Sequence, residues 1–216
     1  MAKKFDTVFW DWNGTLLDDL RYSVSIINTL LEEHSLPLLN TESYQDVFRF
    51  PVQEYYRSIG LPADEPEFSV VGKVFIDRYN QNRERCEVFA DALLLVKALK
   101  EHGIKQYVIS AYSEDSLISL MKQKNVHHYF DGIAGLDNIY AHSKLERGLR
   151  LIESENIVTE KAVMIGDTEH DVEVAHALGC SAVTISWGHQ SSKRLLTVNK
   201  SEHKQTFSEL KEYLLS

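Results

Sequence analysis

The stretch that decides the fold lies near the amino terminus and reads Phe9-Trp10-Asp11-Trp12-Asn13-Gly14-Thr15-Leu16-Leu17-Asp18. The residues from Phe5 to Trp10 are rich in β-branched and aromatic side chains, which is typical of a buried strand. The apolar run then ends abruptly in polar residues and a glycine, which is typical of a loop. This stretch therefore predicts a strand that delivers Asp11 to a loop.

The segment after this loop predicts an all-helical unit. Apolar residues recur at helical spacing at Leu20, Val24, Ile27, Leu30 and Leu31. All four prolines lie between residues 37 and 66, where they separate shorter helical patterns. We therefore expect a helical cap over residues 18–87, inserted into a core formed by residues 1–17 plus 88–216.

Beyond about residue 88, helical patterns alternate with short apolar runs. The apolar runs that predict strands are residues 105–109, 132–136, 162–165 and 182–185. This alternation predicts an α/β fold with a parallel sheet and helices on both of its faces. Ligands in such sheets bind beyond the carboxyl ends of the strands, where the strand order reverses.

Composition and charge restrict the class of protein. The chain has 216 residues, of which 44% are hydrophobic and 25% charged, as in globular proteins, so disordered, collagen-like and coiled-coil chains are excluded. Its formal net charge of -9 disfavours nucleic acid and anionic membranes as partners. The sequence shows neither a secretory signal nor a run of about 18 apolar residues, so we expect a cytoplasmic protein.

Chemically active side chains stand beside the predicted strands and helices. They are Asp11 after the first strand, Ser110 after the second, Lys144 at the start of a helix, Asp167 after Gly166, and Asp171 near a further helix start. Carboxylates, a hydroxyl and an ammonium are groups that bind a phosphate together with a divalent cation. Their order along the chain predicts that the topology brings them to one edge of the sheet.

The same residues resemble the four motifs of the haloacid dehalogenase superfamily. The stretch from Phe9 to Asp18 resembles the first motif, in which an aspartate opens a DxDGT loop. Val108-Ile109-Ser110 resembles the second motif, Lys144 the third, and Gly166-Asp167-Thr168-x-x-Asp171 the fourth. The helical insertion is similar to the cap of the phosphoglycolate phosphatase and β-phosphoglucomutase branch. The resemblance implies a Rossmann-like core with an inserted all-helical cap.

Resemblance to this branch implies a Mg²⁺-dependent phosphatase that acts on a small phosphorylated metabolite. Asp11 would attack phosphorus and form an aspartyl-phosphate. The implied metal ligands are Asp11, Asn13 through its backbone carbonyl, Asp167, and Asp171 directly or through a water.

The resemblance also implies how the substrate is held. Ser110, Ala111 and Lys144 would bind the transferring phosphoryl group and neutralise its charge. Within the cap, Arg49 is the candidate for contact with an anionic substrate, because a guanidinium suits carboxylates and phosphates. Four cap aromatics either shape a substrate pocket or form the cap core, namely Phe48, Phe50, Tyr55 and Tyr56. Trp187-Gly188-His189 either lines the site or packs beside it.

One position departs from the family pattern. The second aspartate of the phosphatase motif, which protonates the leaving oxygen and then activates water, is Asn13 here. An amide cannot exchange a proton near pH 7, and such catalysis contributes about 10²–10⁴-fold. The substrate then has a good leaving group, as an acyl phosphate does, or another group such as Asp18, Asp19 or a cap residue supplies the proton, or turnover has been lost.

Two other functions stay open from the sequence. One is a catalytically weak protein that binds a phosphate ligand or regulates a partner. The other is a metal-independent dehalogenase, since the dehalogenases also lack the second aspartate. The presence of both Asp167 and Asp171 favours phosphoryl chemistry. The sequence does not decide between a monomer and a homodimer.

Overall fold

The structure, a computed structural model, describes residues 3–136 and 144–216. The strands in these ranges are β1 (Thr7–Trp10), β2 (Leu17–Asp18), β3 (Glu87–Val88), β4 (Lys105–Ser113), β5 (Gly132–Leu136), β6 (Ala162–Gly166), β7 (Ser181–Ile185) and β8 (Glu202–Lys204). The helices are α1 (Leu20–Glu33), α2 (Thr41–Val47), α3 (Val52–Ser58), α4 (Glu67–Asn82), α5 (Ala90–Glu101), α6 (Glu114–Gln123), α7 (Lys144–Glu155), α8 (Glu169–Leu178), α9 (Ser192–Leu195) and α10 (Phe207–Leu215).

The first strand, β1, lies inside a parallel sheet whose order is β5-β4-β1-β6-β7-β8. After β1 the chain forms β4 and β5 on one side, and it later forms β6 on the other side. The strand order therefore reverses at β1, and the crevice beyond its carboxyl end is the place where such sheets bind ligands. Asp11 follows β1 directly and so opens onto this crevice.

Both faces of the sheet are covered, as the alternation of helical and apolar segments predicts. Val8 and Trp10 of β1 belong to one buried apolar cluster, together with residues of α5, α6 and α10. Phe9 points to the opposite face and belongs to a second cluster, which includes residues of α8. The predicted α/β fold with a parallel sheet is confirmed, and its central strand is rigidly packed from both sides.

The helices α1 to α4 share an apolar cluster of their own, formed for example by Ile27, Leu30 and Tyr55. On either side of these helices in the chain stand β2 and β3, which pair antiparallel. The chain therefore leaves the sheet and returns to it at one place. The pair of strands β2 and β3 lies at the boundaries that the sequence predicts between core and cap. The division itself, with a core of residues 1–17 plus 88–216 and a cap of residues 18–87, stays a prediction.

Two features of the strands differ from the sequence expectations. Ser110 was expected just after a strand, but β4 continues to Ser113, with a shift of its register against β5 between Ile109 and Ser113. Ser110 therefore lies inside the strand, at an irregular part of it. The edge strand β8 consists of Glu202-His203-Lys204 and has no buried residue, so no apolar run signals it. In the described ranges, no helix is both long and apolar enough to cross a membrane.

A buried polar contact ties β1 to its neighbours. The Trp10 indole N–H donates to Gln106 Oε1 at 3.1 Å, and Gln106 Nε2 donates to the Val96 carbonyl at 2.8 Å. Trp10 and Gln106 are both fully buried. Gln106 thus provides a partner for a donor on β1 and for an acceptor on α5 at once. Water cannot replace either hydrogen bond at this buried position.

We predict that Gln106→Leu lowers the free energy of unfolding by about 2–4 kcal/mol, since two buried polar groups lose their partners. Urea denaturation measures this change. Gln81→Leu is the matched control, because Gln81 is exposed on α4 and its replacement should change stability by less than about 0.5 kcal/mol. Equal stability of the two variants would contradict the structural role of Gln106.

Candidate active site

The predicted site residues converge on one cavity at the carboxyl edge of the sheet, with a volume of about 410 Å³. The predicted residues that line it are Asp11, Asn13, Ser110, Ala111, Lys144, Asp167 and Asp171. Arg49 lies outside this cavity, and its Nε donates to the Val47 carbonyl at 3.1 Å. The topology therefore brings together the candidates from the core, whereas the cap arginine is turned to a backbone carbonyl.

Lys144, the first residue of α7, lies between two carboxylates. Its Nζ donates to Asp11 Oδ1 at 2.5 Å and to Asp171 Oδ1 at 2.5 Å, and its side chain is 4% exposed. Burial lowers the pKa of Lys144, but the charges of Asp11 and Asp171 outweigh burial and hold the pKa above its ordinary value. Burial raises the pKa of Asp11 to about 6, against the opposing effect of Lys144. At neutral pH the site therefore contains an ammonium and an ionised Asp11.

Asp167 follows β6 and is held from two directions. Its Oδ1 accepts from Thr15 Oγ1 at 3.3 Å, and its Oδ2 accepts from the His189 backbone N–H at 2.5 Å. Burial raises the pKa of Asp167 to about 7, and the charges of Asp11 and Asp171 add to this effect, while His189 opposes it. The Asp167 carboxylate is therefore fixed in position, and its burial disfavours its charged form.

The three aspartates form a group that can hold a cation. Asp11, Asp167 and Asp171 each offer one oxygen, and these oxygens lie within 4.8 Å of one another. Oxygen ligands of this kind suit Mg²⁺ and other hard divalent ions. Burial raises the pKa values of both Asp11 and Asp167, so a divalent ion bound between them would offset the cost of keeping their charges away from water. The donor set therefore fits a metal ion.

The two oxygens of Asp171 already have partners. Oδ1 accepts from Lys144, and Oδ2 accepts from the Thr168 backbone N–H at 3.0 Å and from its hydroxyl at 2.7 Å. Asp171 thus joins the start of α8 to the start of α7. Both oxygens of Asp167 also accept hydrogen bonds, so an ion bound by this cluster would share the carboxylates with donors of the protein.

The loop after Asp11 requires a glycine at position 14. Gly14 has φ +71°, in the left-handed region that other residues rarely adopt. A Cβ at this position would collide with the Asp167 carboxylate and the His189 ring. The Gly14 backbone N–H donates to Asp19 Oδ1 at 2.7 Å and to the Leu17 carbonyl at 3.0 Å. The loop therefore folds tightly against the acidic cluster.

Asn13 is held by a carboxylate that the family pattern did not identify. Its Nδ2 donates to Asp19 Oδ2 at 2.8 Å and to the Tyr79 hydroxyl at 2.5 Å, and Tyr79 itself donates to Asp19 Oδ2 at 2.7 Å. An ionised aspartate at position 13 would face the Asp19 carboxylate across the same distance with no hydrogen to donate. The amide is therefore matched to Asp19, and the sequence left Asp19 only as one of several acids near position 13.

Asp19 is also paired with His189. The His189 Nε2 lies 3.2 Å from Asp19 Oδ1, and its Nδ1 lies 3.0 Å from the Tyr44 hydroxyl. Burial raises the pKa of Asp19, but the charge and hydrogen bond of His189 outweigh burial, so the pKa lies below its ordinary value. Burial lowers the pKa of His189, but Asp19 and the other aspartates raise it to about 9. At neutral pH this is a buried ion pair.

Opposite the aspartates, the cavity is walled by aromatic side chains of the cap segment. Phe48, Phe50, Tyr55 and Tyr56 all line it, and Tyr55 and Tyr56 are at the same time members of the helical core. Both interpretations of these aromatics from the sequence therefore hold. His189 lines the cavity as well, whereas the Trp187 indole donates to the Thr15 carbonyl at 3.1 Å and so braces the loop.

We predict opposite effects of alanine at two glycines. Gly14→Ala should lower the free energy of unfolding by more than about 1 kcal/mol, because a side chain is strained at this φ and collides with Asp167. Gly72→Ala should raise it by about 0.4–1 kcal/mol, since Gly72 is inside α4 and an added Cβ meets nothing within 4 Å. Urea denaturation of both variants tests this, and a stable Gly14→Ala protein would contradict it.

The comparisons with known proteins agree with this geometry. A phosphoglycolate phosphatase from Chromobacterium violaceum is 26% identical over 216 residues, covering 91% of this chain and 93% of the relative. The tyrosine-protein kinase PtkA from Mycobacterium tuberculosis is 25% identical over 215 residues, covering 96% of this chain and 72% of the relative.

Solved structures show the same fold. A haloacid dehalogenase-like hydrolase from Streptococcus pneumoniae superposes with a TM-score of 0.81 at 20% identity, covering 97% of this chain and 98% of the other. The model of the haloacid dehalogenase-like hydrolase family matches residues 8–185, which span β1 to β7 and include every aspartate of the acidic cluster. The chain belongs to the haloacid dehalogenase-like hydrolase family.

Proposed function

We propose that this hydrolase is a Mg²⁺-dependent phosphatase that forms an aspartyl-phosphate on Asp11. The observation that supports it best is the placement of Asp11 at the end of the central strand, buried, 2.5 Å from the Lys144 ammonium. Phosphatases are among its relatives. The substrate would be a small phosphorylated metabolite that enters the cavity of about 410 Å³.

Asp11 is suited to nucleophilic attack. Its pKa of about 6 leaves it ionised at neutral pH, and burial removes the water that would otherwise shield it. A carboxylate oxygen attacks phosphorus, the bond from phosphorus to the leaving oxygen breaks, and water then attacks the phosphorus of the aspartyl-phosphate. Inorganic phosphate is released and the Asp11 carboxylate is restored.

Positive charge is needed because a carboxylate and a phosphate repel each other. Lys144 supplies one charge next to Asp11, and Ser110 and Ala111 line the cavity where the phosphoryl oxygens would lie. Asp11 and Asp167 would hold Mg²⁺, with Asp171 and the Asn13 carbonyl as further ligands. Mg²⁺ would offset the remaining repulsion between the nucleophile and the substrate.

The proposal also accounts for the cap segment, residues 18–87. Its helices provide the aromatic wall of the cavity, and Tyr79 of α4 contacts Asn13 in the loop of the nucleophile. A cap in this position would exclude bulk water while Asp11 attacks phosphorus. Water would reach the aspartyl-phosphate after the leaving group has departed.

We predict that hydrolysis of acetyl phosphate depends on Mg²⁺ and on Asp11. Asp11→Asn should lower kcat by at least about 10³-fold, because an amide oxygen is a poor nucleophile. Released phosphate measures turnover, with and without a chelator. Asp91→Asn is the control, since Asp91 is exposed at the start of α5.

The same assay separates the other two functions. Release of chloride from a chlorinated acid in the presence of chelator, without release of phosphate from acetyl phosphate, would support the metal-independent dehalogenase. Equal and background rates of the native chain and Asp11→Asn would support the protein that binds a phosphate ligand without turnover.

We also predict that Asn13→Asp increases kcat for benzyl phosphate, an alkyl phosphate, by about tenfold or more, because the general acid is restored. The new carboxyl would share a proton with Asp19, because Asn13 Nδ2 and Asp19 Oδ2 are 2.8 Å apart in the native chain. Such sharing raises the pKa of one partner and keeps it protonated near pH 7. Asn13→Ala is the control without an acid, and an equal rate in both variants would show that position 13 does not limit turnover.

A further inference from the structure

We propose that the substrate is an aryl phosphate, the phosphate ester of an uncharged phenol, and not a carboxylated alkyl phosphate such as phosphoglycolate. This inference rests on the proposed phosphatase function and specifies its substrate. Two independent features support it, the chemistry of the cavity wall and the chemistry of position 13.

The cavity is larger and less polar than a phosphate group requires. Its volume of about 410 Å³ lies within the roughly 300–1,000 Å³ of pockets that bury drug-sized ligands. It runs from Asp11 and Lys144 to aromatic side chains of α3 and α4, including Tyr55, Phe68 and Phe75. A flat aromatic ring would pack against these rings and remove apolar surface from water.

Among the described residues, the cap side of the cavity offers no lysine or arginine for a second anionic group. In the described ranges, the cavity is lined by one lysine, Lys144, and by no arginine. The sequence of residues 137–143 contains no lysine and no arginine. Lys144 is already committed to Asp11 and Asp171, and Arg49 lies outside. A carboxylate among the aromatic side chains would be desolvated without a countercharge, and the Tyr55 hydroxyl, which is buried and has no hydrogen-bond partner in the part of the chain that the structure describes, could offer it only a neutral donor.

The imidazoles that line the cavity do not alter this balance. His189 is paired with Asp19, so its positive charge is already neutralised. His170 is 31% exposed, lies 3.1 Å from Glu173 and packs its ring against Phe50, with 5.1 Å between the ring centroids. Each of these imidazoles therefore already has a carboxylate partner in the protein.

Gly72 enlarges the cavity on the cap side. It lies inside α4 and lines the cavity, and a Cβ added there meets nothing within 4 Å. Glycine inside a helix is less favourable than alanine, so the local structure alone does not favour it. The gap that it leaves is room next to the aromatic side chains.

Position 13 restricts the leaving group independently of the wall. Asn13 is an amide and has no proton to give, and its Nδ2 already donates to the Asp19 carboxylate at 2.8 Å. A phenol has a pKa near 10, like that of tyrosine, whereas simple alcohols have a much higher pKa and are poor leaving groups as anions. A phenolate therefore leaves as the anion, without an acid.

The reaction of an aryl phosphate balances with these residues alone. An Asp11 oxygen forms a bond to phosphorus, the bond from phosphorus to the aryl oxygen breaks, and the phenolate departs with the electron pair. One water then attacks phosphorus and the bond from phosphorus to the Asp11 oxygen breaks, which restores the carboxylate. Of the two protons of that water, one stays on the phosphate and the other reaches the phenolate through solvent.

The experiment compares kcat/KM for phenyl phosphate, phosphoglycolate and acetyl phosphate with Mg²⁺ present. The native chain should prefer phenyl phosphate over phosphoglycolate by at least about tenfold. Gly72→Leu fills the room next to the ring, so kcat/KM for phenyl phosphate should fall by about tenfold or more, mainly through KM, with a much smaller loss for acetyl phosphate. Gln81→Leu, an exposed change on the same helix, should alter neither rate.

Each other outcome is decisive. A preference for phosphoglycolate, or equal losses of both activities in Gly72→Leu, overturns the aryl phosphate proposal. Hydrolysis of acetyl phosphate without hydrolysis of phenyl phosphate overturns it too, while the phosphatase function stands. If the native chain hydrolyses none of the three above the rate of Asp11→Asn, the phosphatase function itself fails.

Discussion

The arrangement of this crevice depends on the pairing of buried charges. Asp11 and Asp171 share the Lys144 ammonium, and Asp19 is paired with the His189 imidazolium. Removing one partner of a buried ion pair leaves an uncompensated charge and typically costs about 3–5 kcal/mol. These pairs therefore fix the starts of α7 and α8 and the loop after β1 relative to one another. Among the described residues no lysine or arginine pairs with Asp167, and the three aspartates together are suited to a divalent ion.

The same constraint explains the asparagine in the loop. Asp19 accepts hydrogen bonds from Gly14, Asn13 and Tyr79, so it needs donors around it and tolerates no second anion. Asn13 meets this need, at the loss of an acid next to the leaving oxygen. The loop gains a fixed geometry and a contact with the cap segment through Tyr79. Stability of the loop and acid catalysis thus compete at one position.

The sequence predicted those features that depend on local pattern. The apolar run of β1, the strand at Gly132–Leu136 and the helix that ends at Gly179 each follow from spacing or from a glycine with a left-handed backbone. The convergence of Asp11, Lys144 and the fourth-motif aspartates follows from order along the chain, because the carboxyl ends of parallel strands meet at one edge.

Features that depend on distant side chains could not be predicted. The pairing of Asn13 with Asp19 requires Tyr79, which is 60 residues further along the chain than Asp19, and the position of Arg49 depends on a backbone carbonyl of α2. The polar edge strand β8 has no apolar signal, and the register shift that places Ser110 inside β4 arises from pairing with β5. Such details are set by tertiary contacts and not by composition.

The apolar cap wall and the missing acid restrict the substrate in different ways, and they reinforce each other. The wall acts on binding, because it gains from an uncharged ring and excludes a second anion. In the proposed mechanism Asn13 acts on the chemical step, because only a leaving group that departs without a proton would react fast. A substrate selected by the wall therefore needs to meet the second condition, and an aryl oxygen does so because the ring that packs against the aromatic side chains also delocalises the negative charge of the phenolate.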